Sequence, residues 1–289
     1  MKKPLILFLL IINISMAQIK DYRLIHKTFE LNGNRFLAIR EFVWNGSQSI
    51  LAVNVDTLRT IVLPENKIKF KQIDIKDSRY FHLLQKSVSD KLHNGGIKNG
   101  NTEEVYLTVD LCPSSKKEPF ELSTIKKFLN KGHKNIAFAI SGRWFLKNKK
   151  FVEWIKNSGL NVVWINHTFT HFYKKGLPLE QNFLLKKGTD LFYEITAVEK
   201  LLIENEITPS VFIRYPGLVA DYRIRKIVAE KYGLIALGSD AWLAKGEKIR
   251  PGSIILIHGN KNEPAGIKIF NKLLNSKKLE FGCLYNIKP

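Results

Sequence analysis

From about Glu104 onward, short apolar runs alternate with amphipathic segments, and no other feature of the chain constrains its fold as much. Val105–Val109, Ile136–Ile140, Val162–Ile165, Ser210–Ile213, Leu234–Leu237, Ile254–Ile257 and Phe281–Tyr285 have the length and composition of strands. Leu122–Leu129, Phe151–Lys156, Leu191–Ile203, Ile224–Lys231 and Ile267–Leu274 between them read as helices. Strand–helix alternation builds a parallel sheet covered by helices. Seven strands over this span favour a closed or nearly closed barrel, whose chemistry lies at the carboxyl ends of the strands.

Those ends carry polar groups. Asp110 follows the first strand, Asn166-His167-Thr168-Phe169-Thr170-His171 the third and Arg214-Tyr215-Pro216-Gly217 the fourth. Gly238-Ser239-Asp240-Ala241-Trp242 follows the fifth and His258-Gly259-Asn260 the sixth. Isolated buried charges are costly, so five ionisable strand ends on one face argue for a shared site rather than for packing.

The remaining chain sets the context. Lys2 and Lys3, an apolar run Leu5–Ile12 and Ser15-Met16-Ala17 have the layout of an export signal cleaved before Gln18. The apolar run is too short to span a bilayer. The expected location is therefore periplasmic or secreted. Residues 18–100 read as a β-rich region of unknown role, with strands at 35–44, 49–55 and 58–63 and a turn at Asn45-Gly46. Asp77–Leu92 has helical spacing, and a linker follows it. The net charge of +20 favours anionic polymers, while no finger spacing or stacking motif points to nucleic acid.

The strand-end residues fall into a known pattern. The chain resembles the polysaccharide deacetylases, the NodB-homology domain of carbohydrate esterase family 4, over roughly residues 104–289 of an expected domain spanning 101–289. The motifs are Thr108-Val109-Asp110-Leu111-Cys112-Pro113, His167-Thr168-Phe169-Thr170-His171, Arg214-Tyr215-Pro216-Gly217, Asp240-Ala241-Trp242 and Leu256-Ile257-His258. The resemblance implies an α/β fold, a distorted (β/α)7-type barrel; the small β-rich region that precedes it is left unexplained. It implies a hydrolase that removes N-acetyl groups from a polysaccharide, with a divalent metal, usually zinc, polarising the amide. His167 and His171 would hold the metal and Asp110 would be the general base. Arg214 would orient Asp110, His258 would be the general acid, and Asp240 would hold His258 charged. Trp242, Leu256, Tyr215 and Pro216 would contact the substrate. Peptidoglycan, chitin-like polymers and exopolysaccharides all qualify as that substrate.

One position departs from the pattern. The second aspartate of the first motif, usually the third metal ligand, is Leu111 here. Cys112 could replace it as a thiolate, Asp110 could turn to the metal, or two imidazoles and water could hold the ion weakly. Cys112 and Cys283, the two cysteines of the chain, also admit one disulfide in an oxidising compartment. Two further functional readings follow: a metal-independent amide or ester hydrolase, and a non-catalytic carbohydrate-binding relative.

Overall fold

A computed structural model describes residues 18–276 and 279–288, so the signal-like residues 1–17 lie outside the described residues. The chain opens with four antiparallel strands in sequential order: β1 (Lys20–Leu31), β2 (Asn34–Trp44), β3 (Ser47–Asn54) and β4 (Thr60–Pro64). The expected turn at Asn45-Gly46 joins β2 to β3, with φ of 51° and 76°, as a tight two-residue hairpin requires. The charged alternation of Lys20–Leu31 hid β1 from the sequence reading. Helix α1 (Arg79–Ser87) is shorter than the expected 77–92; the Ser78 hydroxyl caps it by accepting from Phe81 N–H, and Val88 is already extended.

The barrel follows as β5 (Tyr106–Leu111), α2 (Leu122–Asn130), β6 (Asn135–Ile140), α3 (Gly142–Lys147), α4 (Lys149–Lys156) and β7 (Asn161–Asn166). It continues through α5 (Leu191–Glu204), β8 (Phe212–Ile213), α6 (Tyr222–Tyr232), β9 (Ile235–Ala236), β10 (Ala241–Trp242), β11 (Ile254–His258) and α7 (Pro264–Ser276). The seven parallel strands are ordered β10-β11-β5-β6-β7-β8-β9. The seventh strand differs from expectation. Phe281–Tyr285 forms a single bridge, Val105 to Phe281, and then a 3-10 turn, whereas Ala241–Trp242 joins the sheet.

The presumed linker closes the curl. Ile97 N–H donates to Ala236 O, and Gly238 N–H donates to Ile97 O. On the other side, Ile254 N–H donates to Lys98 O and Gly100 N–H to Gly252 O. Residues 97–100 thus bridge the gap between β9 and the start of β11.

Strand alternation sorts the core. Leu107, Val109 and Leu111 of β5 enter one apolar cluster with Phe138, Trp144 and Phe270, beneath α2, α3, α4 and α7. Tyr106, Ala137 and Ile165 enter a second cluster, shared with α5, α6 and the inner face of the antiparallel sheet through Leu37, Ile39, Leu51 and Val53. The register of β2 against β3 shifts between Ala38 and Arg40. This bulge lets Ile39 and Arg40 both face the barrel, where Arg40 pairs with Glu199. The N-terminal sheet is therefore packed on the barrel.

Candidate active site

The strand ends meet as the alternation requires. Asp110 closes β5 on the face opposite Leu111 and is 3% exposed. Arg214, fully buried just past β8, donates from Nη1 to Asp110 Oδ1 at 2.8 Å and to Thr108 Oγ1 at 2.6 Å, and from Nη2 to Gly238 O at 2.9 Å. Asp110 Oδ2 lies 3.8 Å from His167 Nε2. Burial alone would raise the Asp110 carboxyl, but Arg214, His167 and His258 outweigh it and hold the group below the ordinary carboxylate range.

His167 and His171 come from the loop after β7. Thr168 and His171 take φ of 61° and 46°, and the rings meet edge-to-face at 4.7 Å. The loop is fixed from α5. Phe169 N–H donates to Glu194 O, Thr170 N–H donates to Glu194 Oε2 at 2.9 Å, and the Thr170 hydroxyl donates to the same carboxylate. Asn166 Oδ1 accepts from Thr168 N–H. Gly142 allows the loop to approach, since a Cβ there would lie 2.1 Å from the Phe169 ring. His167 Nδ1 lies 2.8 Å from the carbonyl oxygen of Arg214. A carbonyl only accepts, so Nδ1 carries a proton, and in the neutral ring the lone pair is on Nε2. His171 Nε2 is buried with no hydrogen-bond partner.

Cys112 completes this group. Its sulfur is 3.4 Å from His167 Nε2, and the ligating atoms of Cys112, His167 and His171 lie within 4.8 Å of one another. Burial alone would raise the thiol, but the imidazoles of His171, His167 and His258 bring it well below its ordinary value. Both cysteines are free and buried, so the possible Cys112–Cys283 disulfide is absent.

His258, at the end of β11, has a different partner from the one expected. Its Nδ1 is 2.8 Å from Glu263 Oε2, off the line of the ring N–H, and the contact is an ion pair. Trp242 Nε1 donates to the same oxygen at 2.9 Å. Burial would lower the His258 imidazole, yet Cys112 and Glu263 raise it well above its ordinary value. Asp240 faces away: its carboxylate accepts from Ile254 N–H at 3.1 Å and from the Asn99 amide at 3.3 Å. Glu263 was missed because it belongs to no motif; its one signal is a carboxylate soon after a strand-end histidine, just before Pro264.

A cleft of about 600 Å³ opens over these groups, lined by Cys112, His171, His258, Glu263 and Trp242 among others. Of the expected substrate contacts, Trp242 is in its wall. Leu256, Tyr215 and Pro216 are not: Leu256 is fully buried within β11, Tyr215 packs against Arg225, and Pro216 is buried in a 3-10 turn. Arg143, Phe172, Tyr173 and Phe183 line the cleft unforeseen. Tyr173 is exposed and stacked on Phe183, which in turn meets His171 edge-on.

Among the described residues no helix is long and apolar enough to cross a membrane. No protein-family model matches the chain. It is 24% identical to a family 4 carbohydrate esterase from Bacillus anthracis, over 72% of this chain and 90% of that one, with a TM-score of 0.50. A mutant of a Bacillus anthracis family 4 pseudoenzyme, with restored enzymatic activity, matches at 15% identity over 83% and 85% of the two chains, TM-score 0.50. The family 4 carbohydrate esterase PdaA of Bacillus subtilis matches at 16% over 75% and 90%, also at 0.50. At these identities the likeness speaks to architecture, and the chain has the fold of the family 4 carbohydrate esterases.

Proposed function

We propose that this chain is an exported, metal-dependent hydrolase that removes N-acetyl groups from a polysaccharide. The observation that carries the reading is Asp110: a buried carboxylate with one oxygen held by Arg214 and the other facing His167 without a hydrogen-bond donor. A structural pair has no reason to leave an oxygen free.

The donor set fits a divalent ion, since the buried, unpartnered His171 Nε2 and the available His167 Nε2 converge there. His167 and His171 would hold it. When bound, the ion would polarise the acyl carbonyl and acidify the attacking water. Asp110 Oδ2 accepts the water proton, and Arg214 keeps Asp110 ionised for that task. His258 donates a proton to the departing amine as the carbon–nitrogen bond breaks, so acetate and a free amino sugar leave. Glu263 keeps His258 protonated until then. Trp242 holds Glu263 and forms one wall for the acyl group.

The arrangement of Lys2, Lys3 and the short apolar run supports export. The charge of +20 supports an anionic polymer such as a cell-wall glycan, whose binding weakens as salt rises. Acetate release from a panel of peptidoglycan, chitin-like and exopolysaccharide substrates tests the reading. After chelation, activity is expected to vanish and to return with zinc or cobalt. Full activity in chelator would favour the metal-independent hydrolase. Glycan binding with no acetate release from any substrate would favour the carbohydrate-binding relative.

A further inference from the structure

Leu111 removes the carboxylate that the resemblance assigns to the metal, yet the backbone already aims a different donor at the same place. In β5, residues 107, 109 and 111 face the helix layer, while Thr108 and Asp110 face Arg214. Leu111 is fully buried with Val109 and Ile140, on the wrong side for any ligand. Cys112 continues the series of 108 and 110, and its sulfur reaches His167 Nε2 at 3.4 Å. Its carbonyl oxygen accepts from the Asn260 amide, itself fully buried, which fixes the backbone just past the strand.

We infer that the Cys112 sulfur, as a thiolate, is the third protein ligand of the metal site, in place of the missing carboxylate. This rests on the metal-dependent reading above. Around a tetrahedral zinc, with bonds of about 2.3 Å to sulfur and 2.0–2.1 Å to nitrogen, donor atoms are separated by roughly 3.3–3.6 Å. The sulfur-to-His167 spacing already meets this, and the three donor atoms lie within 4.8 Å of one another. A thiolate supplies the same single negative charge as a carboxylate, so the site keeps its charge complement. It changes in softness. Two imidazoles and a thiolate suit zinc or cobalt and disfavour magnesium and calcium.

The test uses the full chain, stripped with chelator and titrated with cobalt. One cobalt per chain is expected, with an intense near-ultraviolet band from thiolate-to-metal charge transfer that zinc displaces. Cys112→Ser is expected to lose the band and at least about tenfold in affinity, since even indirect partners of ligands are worth that much. Cys283→Ser is expected to keep both. If Cys112→Ser does not fold, wild-type protein decides. Cys112 should resist alkylation with zinc bound and react after chelation, read by peptide mass. Cobalt bound without the band, or alkylation of Cys112 indifferent to zinc, overturns the sulfur ligand and leaves the metal reading intact. A wild-type chain that binds neither cobalt nor zinc overturns both.

Discussion

Two of the fully buried arginines are each paired with a carboxylate, but the pairs are built differently. Arg40 meets Glu199 through two bonds of 2.7 Å, and its remaining nitrogen donates to the carbonyls of Ile39 and Tyr232. Tyr22 adds a hydroxyl to Glu199 Oε2. Every guanidinium nitrogen and both carboxylate oxygens are used. Arg214 meets Asp110 through one oxygen, its own Nε has no partner, and Asp110 Oδ2 is left facing His167. A saturated pair fastens the N-terminal sheet to the barrel; the unsaturated pair leaves Asp110 an oxygen for the base role proposed above. Burial and charge are alike in the two, so hydrogen-bond saturation is what separates structure from chemistry here.

The largest effect should come from the unsaturated pair. Asp110→Asn keeps an acceptor for Arg214 but removes the base, and acetate release should fall about 10²–10⁴-fold. Bound zinc, measured on the same preparation, should be retained. If the variant instead loses its metal, Asp110 is a ligand and the contrast with Glu199 has to be redrawn around ligation.

The saturated pair should show the opposite pattern. Glu199→Gln strands the Arg40 guanidinium in the core, at a cost of about 3–5 kcal/mol read by denaturant unfolding. The turnover of the molecules that remain folded should match wild type. A change in kcat at constant folded fraction would mean that the sheet interface reaches the site through α5, whose Glu194 also ties down the histidine loop.

How much of this was legible in the sequence depends on the range of the interaction. Strand ends are local: Asp110, His167, Arg214 and His258 follow apolar runs, and period-two alternation carries them to one face. The barrel strands that alternate with helices were legible for the same reason, with β10 missed because two residues leave no periodic signal. Partners across loops were not legible. Glu263 rather than Asp240 meets His258 because α7 begins beside β11, which no local pattern encodes. The motif placed Leu111 next to the metal, and only the pleat of β5 reveals that its side chain points away. The closure by residues 97–100 depends on backbone groups, which a linker composition conceals.

Leu111 offers a sharper form of the comparison, because it asks what happens to a buried polar group with no partner at all. Leu111→Asn places an amide among Val109, Ile140 and Trp144. The expected cost is about 1–3 kcal/mol of unfolding free energy. Zinc affinity by calorimetry should not improve. Tighter zinc binding would mean that position 111 can turn to the metal side, against the alternation that assigns the site to Asp110 and Cys112.

The smallest effect belongs to a third pair, His258 with Glu263, in which one carboxylate oxygen meets both His258 and Trp242 and the pair is partly open to solvent. Water screens such a pair, so its worth is about 1 kcal/mol, or roughly fivefold in kcat/KM. Its signature is in the pH profile. His258 is raised well above its ordinary value of 6.5, so the acid form persists through neutral pH and is lost only as pH climbs through that raised value. Asp110 is lowered, so the base form is lost only as pH falls below the ordinary carboxylate range. The profile of kcat/KM should therefore be a broad bell with its alkaline limb above 6.5. Glu263→Gln removes one of the charges that raise His258, and should move that limb toward lower pH by under about one pH unit while leaving the acid limb in place. Asp240→Asn should move neither limb, because Asp240 spends its oxygens on Ile254 and Asn99. An alkaline limb that follows Asp240 and ignores Glu263 would return the orienting role to the residue the motif names, and would show that contact across the α7 loop does not tune the acid.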